Sequence, residues 1–298
     1  MLKAAERLGV LIVEYRDAAG ALRLAQTLGG DPCVEIVIIS TGPAPCAQPS
    51  QAIRVLHLPS NPGFGAAANR GCEALSDSVT HLLLCNTDIC LSLEDVRNLW
   101  RHAQATGWAQ LSPMILSPSG VVEWDGGHLD FRRIQVVHDG LGDPPRLGAD
   151  VRRTEFVTAA CMLVRRDAWN DVGGMREDFF LYGEDADFSM RLGRAGLTGG
   201  VVTSTRVVHA VSGSVGRDSP VQLYLMTRNG IRLFREWSPH LWGRIACWIM
   251  LPLRLSWGLL RRRGSPRALL WILRGIVDAR PKSRYHRSQG RAALMLGT

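Results

Sequence analysis

Short apolar runs alternate with helix-period segments along the first hundred residues. The runs are Val10 to Tyr15, Glu35 to Ile39, Ile53 to Leu58 and His81 to Cys85; Ala18 to Leu28, Ala66 to Leu75 and Leu93 to Ala105 carry the 3.6-residue spacing between them. Strands buried on both faces read as continuous apolar stretches, and the helices that cover them show one apolar stripe. This β-α-β-β-α-β-α rhythm therefore predicts a largely parallel sheet with helices on both faces. Between Leu116 and Arg153 the pattern gives way to Gly, Pro, His and Asp, as in loops or short antiparallel strands lying over a site. Regular patterning resumes with a strand over Phe156 to Val164, a short helix over Arg166 to Val172 ended by Gly173 and Gly174, a helix over Ala186 to Ala195 stopped by Gly196, and a last core strand over Val201 to Val208. From Pro220 the pattern is helical: Val221 to Trp237 is amphipathic, and Leu241 to Leu260 follows, interrupted by Arg244, Pro252 and Arg254. The expected organisation is an α/β body over 1–219 and a helical region over 220–298.

Charge sharpens that division. The 298-residue chain carries +8 overall, but from Arg228 onward 15 basic residues face only Glu236 and Asp278, a net of +13, which leaves −5 for the first 227 residues. Five of the nine tryptophans (Trp237, Trp242, Trp248, Trp257, Trp271) also lie in this tail. The interruptions leave no run of about 20 apolar residues, so a membrane-spanning helix is not expected. An in-plane helix is: Trp and Leu would enter the interface while Arg261, Arg262, Arg263 and Arg267 meet anionic headgroups. A helix packed on the body with a solvated basic face is the alternative. No nucleic-acid motif accompanies the arginines. Seven cysteines without paired CxxC spacing argue against a zinc site and a disulfide framework, and the opening Met1 to Arg7, followed by about six apolar residues before Glu14, is too short and too acidic for a signal peptide. A cytoplasmic body is expected.

Polar residues break into the apolar runs at three points. Asn86-Thr87-Asp88 follows His81 to Cys85 directly, Glu184, Asp185 and Asp187 follow Phe179-Phe180-Leu181-Tyr182-Gly183, and His209 follows Val207-Val208. Polar groups at strand ends are where α/β proteins place chemistry. A carboxylate at Asp88, beside a ligand's phosphates, would need a cation to offset its charge; as a turn or helix cap it needs none. Three carboxylates within four residues repel one another, and apolar neighbours raise the cost. A helix starting near Asp185 would offset it through its free amides and dipole, whether or not the acids do chemistry. At a spacing of two, Asp185 and Asp187 cannot share a helix face, so one can face a site while the other holds local structure. His209, followed by the small residues 210–216, reads alone as an ordinary polar residue; with Asp88 it makes a mixed O/N site suited to Mn²⁺ and tolerant of Mg²⁺. Asn61 to Gly71 is a small-residue loop feeding a helix, in which Gly63 and Gly65 permit close backbone approach. It lacks the P-loop Lys-Ser/Thr, and a nucleotide-contacting loop and a tight turn fit it alike.

Taken together these pieces resemble the family 2 nucleotide-sugar glycosyltransferases with the GT-A fold, particularly the bacterial rhamnosyltransferase-like branch. The resemblance covers roughly Val10 to Arg235 and rests on Val13-Glu14-Tyr15, the Asn61 to Gly71 loop, Leu84 to Asp88, Thr158 to Arg166, Gly173 to Asp187, His209, and Tyr224 to Asn229, in that order. It implies a GT-A body (a Rossmann-like, mostly parallel sheet) followed by a basic, Trp-rich helical region. It implies that Asp185 is the catalytic base, that Asp88 and His209 hold Mn²⁺ or Mg²⁺, and that Val13, Tyr15, Asn61, Gly63, Gly65, Asn69, Asn86 and Asp88 contact the donor nucleotide. Glu184, Asp187, Trp124 and Arg228 are the acceptor-side or supporting residues. Two positions depart from the family pattern: Ser40-Thr41 replace an Asp-Asn pair whose acid helps hold the nucleotide base, and Arg16 replaces an Asn.

The implied activity is inverting, metal-dependent transfer of a sugar, L-rhamnose from dTDP-rhamnose as the first expectation, from a nucleoside-diphosphate donor. The acceptor is a hydroxyl of a saccharide or polyprenyl-diphosphate-linked molecule in cell-envelope polysaccharide synthesis, at the inner face of the membrane. The alternative is a catalytically silent sugar-nucleotide or glycan-binding module on the same fold. A sugar nucleotidyltransferase is disfavoured, because no glycine-rich signature with a basic residue stands near the start.

Overall fold

The computed structural model describes residues 7–43, 53–146, 148, 150–210, 219–261 and 268–280. Arg262, Arg263, Arg267 and the small residues 211–216 behind His209 lie outside them. The opening apolar runs form β1 (Arg7–Glu14), β2 (Val34–Ser40), β3 (Ile53–His57) and β4 (Val79–Asn86), with α1 (Ala18–Leu28), α2 (Phe64–Glu73) and α3 (Leu93–Thr106) between and after them. Local chemistry sets the helix ends. Asp17 caps α1 through the N–H of Gly20, and Ser92 and Asp95 form a reciprocal capping box on α3, which Gly107 closes in the left-handed region. A two-residue strand, β5 (Ile89–Cys90), follows the Asn86-Thr87-Asp88 turn.

The second half adds β6 (Gln110–Leu116), β7 (Val122–Trp124), the hairpin β8 (Gly127–Asp130) and β9 (Gln135–His138), β10 (Val151–Thr154), β11 (Cys161–Arg165), α4 (Arg166–Asp171), α5 (Glu184–Arg194) and β12 (Gly199–His209). The sheet order is β10-β12-β6-β11-β4-β1-β2-β3, with β5 on β12 and β7 on β6. Of the four strands β6, β11, β4 and β1 at its centre, β11 alone runs against its neighbours. The mostly parallel α/β sheet expected from the patterning is present. The strand expected over Phe156 to Val164 begins only at Cys161, and β6 was not foreseen at all. It is a central, buried strand containing Gln110, Ser112 and Pro113. Proline is tolerated there because the register with β12 shifts at that point, Val202 facing Pro113 and Arg206 facing Met114.

Three helices follow: α6 (Pro220–Trp237), α7 (Leu241–Arg261) and α8 (Leu269–Asp278). Ser219 caps α6 with Pro220 in its first turn. One apolar core surrounds the sheet; a second joins α5, α6 and α7 to the β8–β9 hairpin through Leu129, Ile134, Phe179, Phe234 and Leu251. The helical region is thus packed against the segment that carries the acids. Glycines permit the close approach of its helices: a Cβ on Gly230 would meet Leu251 at 2.4 Å, and one on Gly275 would meet the Tyr224 carbonyl at 2.8 Å.

Candidate active site

The acid segment rests on backbone that few side chains tolerate. Phe180 and Tyr182 have φ of 68° and 70°, and Gly183 has 91°. Bulky residues in that region cost about 1–3 kcal/mol each, so surrounding groups must enforce the shape. The turn makes Gly183 the N-cap of α5 and puts Glu184, Asp185 and Asp187 in its first turn, where unpaired N–H groups and the helix dipole favour negative charge. Asp185 is half-buried, accepting from the N–H of Ala186 at 2.8 Å and of Ala159 at 3.3 Å. Burial pushes its carboxyl above the ordinary aspartate value, against the lowering effect of those hydrogen bonds and of nearby His138. Glu184 is 5% exposed, and its Oε2 has no hydrogen-bond partner among the described residues. Burial, with repulsion from Asp185, pushes it up to about 8. Asp187 faces the other way: fully buried, it accepts from Arg191 at 2.9 Å, Trp237 Nε1 at 3.0 Å and Arg176 at 3.4 Å.

Glu184 and Asp185 line a cavity of about 470 Å³ between the sheet and the C-terminal helices. Asn86, at the end of β4, and Thr158 to Ala160 complete its polar side; Phe234 of α6 and Leu251 and Leu255 of α7 are among its apolar walls. The Ala159-Ala160 backbone ties the two sides together, since Ala159 donates to Asp185 and the Ala160 carbonyl accepts from the N–H of Asn86 at 2.9 Å.

Pairing of β5 with β12 sets Ile89 opposite His209, and the N–H of Ala210 reaches the Asp88 carbonyl at 2.8 Å. Two residues 121 apart in sequence thereby meet: His209 Nε2 lies 3.0 Å from Asp88 Oδ1. Glu123 of β7 takes the other ring nitrogen, Nδ1, at 2.9 Å. The bond to Asp88, with Glu123 adding, raises the imidazole's pKa, and burial opposes the rise. A carboxylate oxygen and an imidazole nitrogen set 3.0 Å apart, within hydrogen-bond distance, are a mixed O/N donor pair that a divalent cation such as Mn²⁺ accepts. A carboxylate on the far ring nitrogen is also how metal-binding histidines are oriented. On those grounds the pair would suit a divalent cation. Among the described residues no group of three or more His, Cys, Asp or Glu side chains encloses a metal by itself. Such an ion would take its remaining ligands from water and from a substrate's phosphates, as Mg²⁺ commonly does.

Several residues expected to touch the donor have other work. Asn61 accepts from the N–H of Gly63 at 2.9 Å. A Cβ on Gly63 would meet the Phe180 carbonyl at 2.5 Å, and one on Gly65 would meet the Arg176 carbonyl at 2.8 Å. The N–H of Phe64 donates to the Phe180 carbonyl at 2.6 Å. Asn69 gives its amide to the Met175 carbonyl at 2.8 Å and accepts from the Met175 N–H at 2.9 Å. The loop is small because it is clamped to the acid segment. Gly63, Gly65 and Asn69, expected on the donor side, thus also tie α2 to the backbone of the acid segment. Trp124, expected on the acceptor side, is 2% exposed in the sheet core and off the cavity wall. Arg228 is fully buried, donating to the carbonyls of Asp178 and Phe179, so it supports the acid segment. Val13 sits between Ile39 and Asn86 in the sheet, and Arg16 lies over the ring of Tyr15. Where the Asp-Asn pair was missed, Ser40 donates to the buried carboxylate of Glu14 at 2.8 Å and Thr41 to the Glu14 carbonyl at 2.9 Å.

Glu123 escaped the sequence reading, and Glu14 and Asn229 entered it only within the motifs of the resemblance, with no role assigned. Glu14 stood at the end of an apolar run, a visible signal. Glu123 gave none, because its partner is 86 residues away.

Residues 146–277 match the model of glycosyl transferase family group 2. An N-acetylglucosaminyl-diphospho-decaprenol L-rhamnosyltransferase from Mycobacterium tuberculosis is 29% identical over 193 residues, 56% of this chain and 61% of that protein. The chain thus spans less than two thirds of that relative's length. A low-salt glycan biosynthesis hexosyltransferase, Agl10, from Haloferax volcanii is 24% identical over 234 residues, covering 74% of this chain and 73% of that one. Among solved structures, GalNAc-T7 with UDP, GalNAc and Mn²⁺ superposes with a TM-score of 0.60 at 13% identity, covering 80% of this chain and 49% of the other. S. aureus TarS 1-349 does so with a TM-score of 0.53 at 12% identity, covering 97% and 89%. Those likenesses identify the fold as GT-A. By the family match over 146–277 and its relatives, the chain is similar to the family 2 glycosyltransferases, on a GT-A fold.

Proposed function

We propose that the chain is an inverting glycosyltransferase that moves a hexose or deoxyhexose, L-rhamnose first, from a nucleoside-diphosphate donor to an acceptor hydroxyl. The observation that carries this is Asp185: a carboxylate with a raised pKa, held at a helix N-terminus on the wall of a cavity large enough for a sugar. An acceptor hydroxyl placed in the cavity gives its proton to Asp185 as its oxygen bonds to the anomeric carbon. The carbon–oxygen bond to the nucleoside diphosphate breaks in the same step, and a single displacement inverts the centre. The apolar walls exclude water, which would otherwise compete as acceptor. Asp88 and His209 would hold Mn²⁺ or Mg²⁺, with Glu123 orienting the imidazole; when bound, that cation supplies positive charge against the departing diphosphate. Asn86, between this pair and the cavity, belongs to the donor side.

The 1–219 body would carry donor and base, while 220–298 closes the acceptor side and meets the membrane. No helix among the described residues is long and apolar enough to cross a bilayer. A peripheral site fits a saccharide or polyprenyl-diphosphate-linked acceptor, by analogy with the mycobacterial relative's name. The test is nucleoside-diphosphate release from a panel of dTDP-, UDP- and GDP-sugars with Mn²⁺ or Mg²⁺, for wild type and Asp185→Asn. Release by wild type that falls on the order of 10²–10⁴-fold in the variant supports the transferase and names the donor. Equal release removes Asp185 from the base role. No release from any donor, with membrane extract supplying acceptors, favours a binding module.

A further inference from the structure

Five consecutive carbonyls of the acid segment are each held by a group from elsewhere in the fold or the following helix turn. Arg232 of α6 donates to Asp178 at 3.0 Å, and Phe64 of α2 donates to Phe180 at 2.6 Å. The side-chain amide of Asn229, also on α6, lies 2.8 Å from the Phe179 carbonyl, 2.7 Å from that of Leu181 and 2.8 Å from that of Tyr182. Its oxygen accepts from Arg228 Nε at 2.8 Å, so the network itself settles which way the amide faces. Asn229 is 1% exposed and, among the described residues, is the one side chain that bonds to three of the five.

We propose that Asn229 is a positioning residue: it holds the reversed backbone of Phe179 to Tyr182 so that Asp185 is delivered to the cavity. This rests on the base role proposed for Asp185. Phe180 and Tyr182 both adopt left-handed φ, which an aromatic residue leaves unless its carbonyls are fixed. The two residues after Tyr182 are Gly183, the N-cap, and Glu184, so no slack separates the clamp from the base. Release of the three carbonyls would let the turn relax and the first turn of α5 shift. Displacements near 1 Å at a reacting group cost on the order of 10²-fold in rate. Asn229 also touches the cavity, so a direct substrate contact is the competing role that the test must separate.

The test uses full-length Asn229→Ala, Asn229→Ser, which keeps one donor, and Trp237→Phe, which loosens the α5–α6 contact without touching the turn. Amide hydrogen exchange is read first. In Asn229→Ala the amides of residues 181–186 are expected to exchange faster by about tenfold or more, those of 189–194 to stay unchanged, and Asn229→Ser to fall between. Trp237→Phe is expected to leave 181–186 unchanged. Nucleoside-diphosphate release is read next: kcat of Asn229→Ala falls on the order of 10²-fold while donor and acceptor KM stay within about twofold. Unchanged exchange at 181–186, or a raised KM with kcat intact, overturns the proposal. A wild type that releases no diphosphate overturns the transferase reading instead, and the exchange contrast still decides whether Asn229 holds the turn.

Discussion

Asp185 and Glu184 are neighbours in one helix turn, yet the site asks opposite things of them. As the proposed base, Asp185 must be ionised to accept a proton, and its raised pKa would place the acid limb of kcat above the ordinary aspartate range. Glu184 is buried without a partner for Oε2 among the described residues, and it resists ionising until about pH 8, against an ordinary value of 4.5. Between those two pH values the unfolded chain carries this charge and the folded chain resists it. The stability Glu184 contributes is complete below pH 4.5 and is lost as pH rises through 8, on the order of 3–5 kcal/mol for a shift of that size. Glu184→Gln should abolish that slope: urea unfolding at pH 8 would find the variant more stable than wild type, and at pH 4.5 the two would agree within about 0.5 kcal/mol. A variant that is less stable than wild type at pH 8 would show that the carboxylate is stabilised by a group not identified here. Asp88, Asp185 and His209 were legible because each polar residue interrupts an apolar run. The backbone contacts of Asn69 and Asn229 were not: their partners are carbonyls that only the tertiary fold brings close.

At the scale of elements, the site is a meeting of α2, α5 and α6 around one strained turn. Gly63 has φ of 93° and stands where a Cβ would press on the Phe180 carbonyl at 2.5 Å. Gly63→Ala therefore combines backbone strain with displacement of the turn; a loss of about 2 kcal/mol in denaturant unfolding is expected, with a fall in kcat larger than stability explains. Asp187 joins α5 to Trp237 of α6 and to Arg191 and Arg176. Asp187→Ala leaves two arginines without their shared carboxylate, one of them 19% and the other 29% exposed at the side chain, and should cost about 3 kcal/mol. Its effect on activity per folded molecule should be small, since Asp187 faces away from the cavity. Most of the strands and helices were legible from periodicity, and α1 begins and ends as the pattern predicts. β6 was missed for a physical reason: Gln110, Ser112 and Pro113 break the apolar pattern, and the strand is central because Gln110 is satisfied by Ser189 and the register shift at Pro113 spares the ladder.

For the whole molecule, the outer face of α7 is the surface proposed to meet the membrane. Trp242, Ile245, Ile249, Leu253, Trp257 and Leu260 follow one another at spacings of three or four, and each is at least half exposed. Cys247 and Leu251 on the opposite face are buried against α6. A continuous apolar stripe of this size is unusual on a free monomer surface, and the net charge of +13 from Arg228 onward suits a surface of anionic lipids. Because α6 lines the cavity and α7 seals it, removing the tail would damage the site as well as the binding face. Substitution in the full chain separates the two. Trp242→Glu, Leu253→Glu and Trp257→Glu combined replace three exposed side chains, each worth about 1.5–3 kcal/mol when taken out of water. Partition onto vesicles containing anionic lipid is expected to fall by at least about 10²-fold, with the urea midpoint unchanged and nucleoside-diphosphate release in the presence of a soluble acceptor intact. Equal partitioning of wild type and variant would remove α7 from membrane contact. A wild type that is dimeric in solution and becomes monomeric in the variant would instead assign the stripe to a second copy of the chain. Vesicles of neutral lipid separate the two components of the attraction: if charge contributes as proposed, wild type binds them more weakly than anionic vesicles, and added salt narrows the difference.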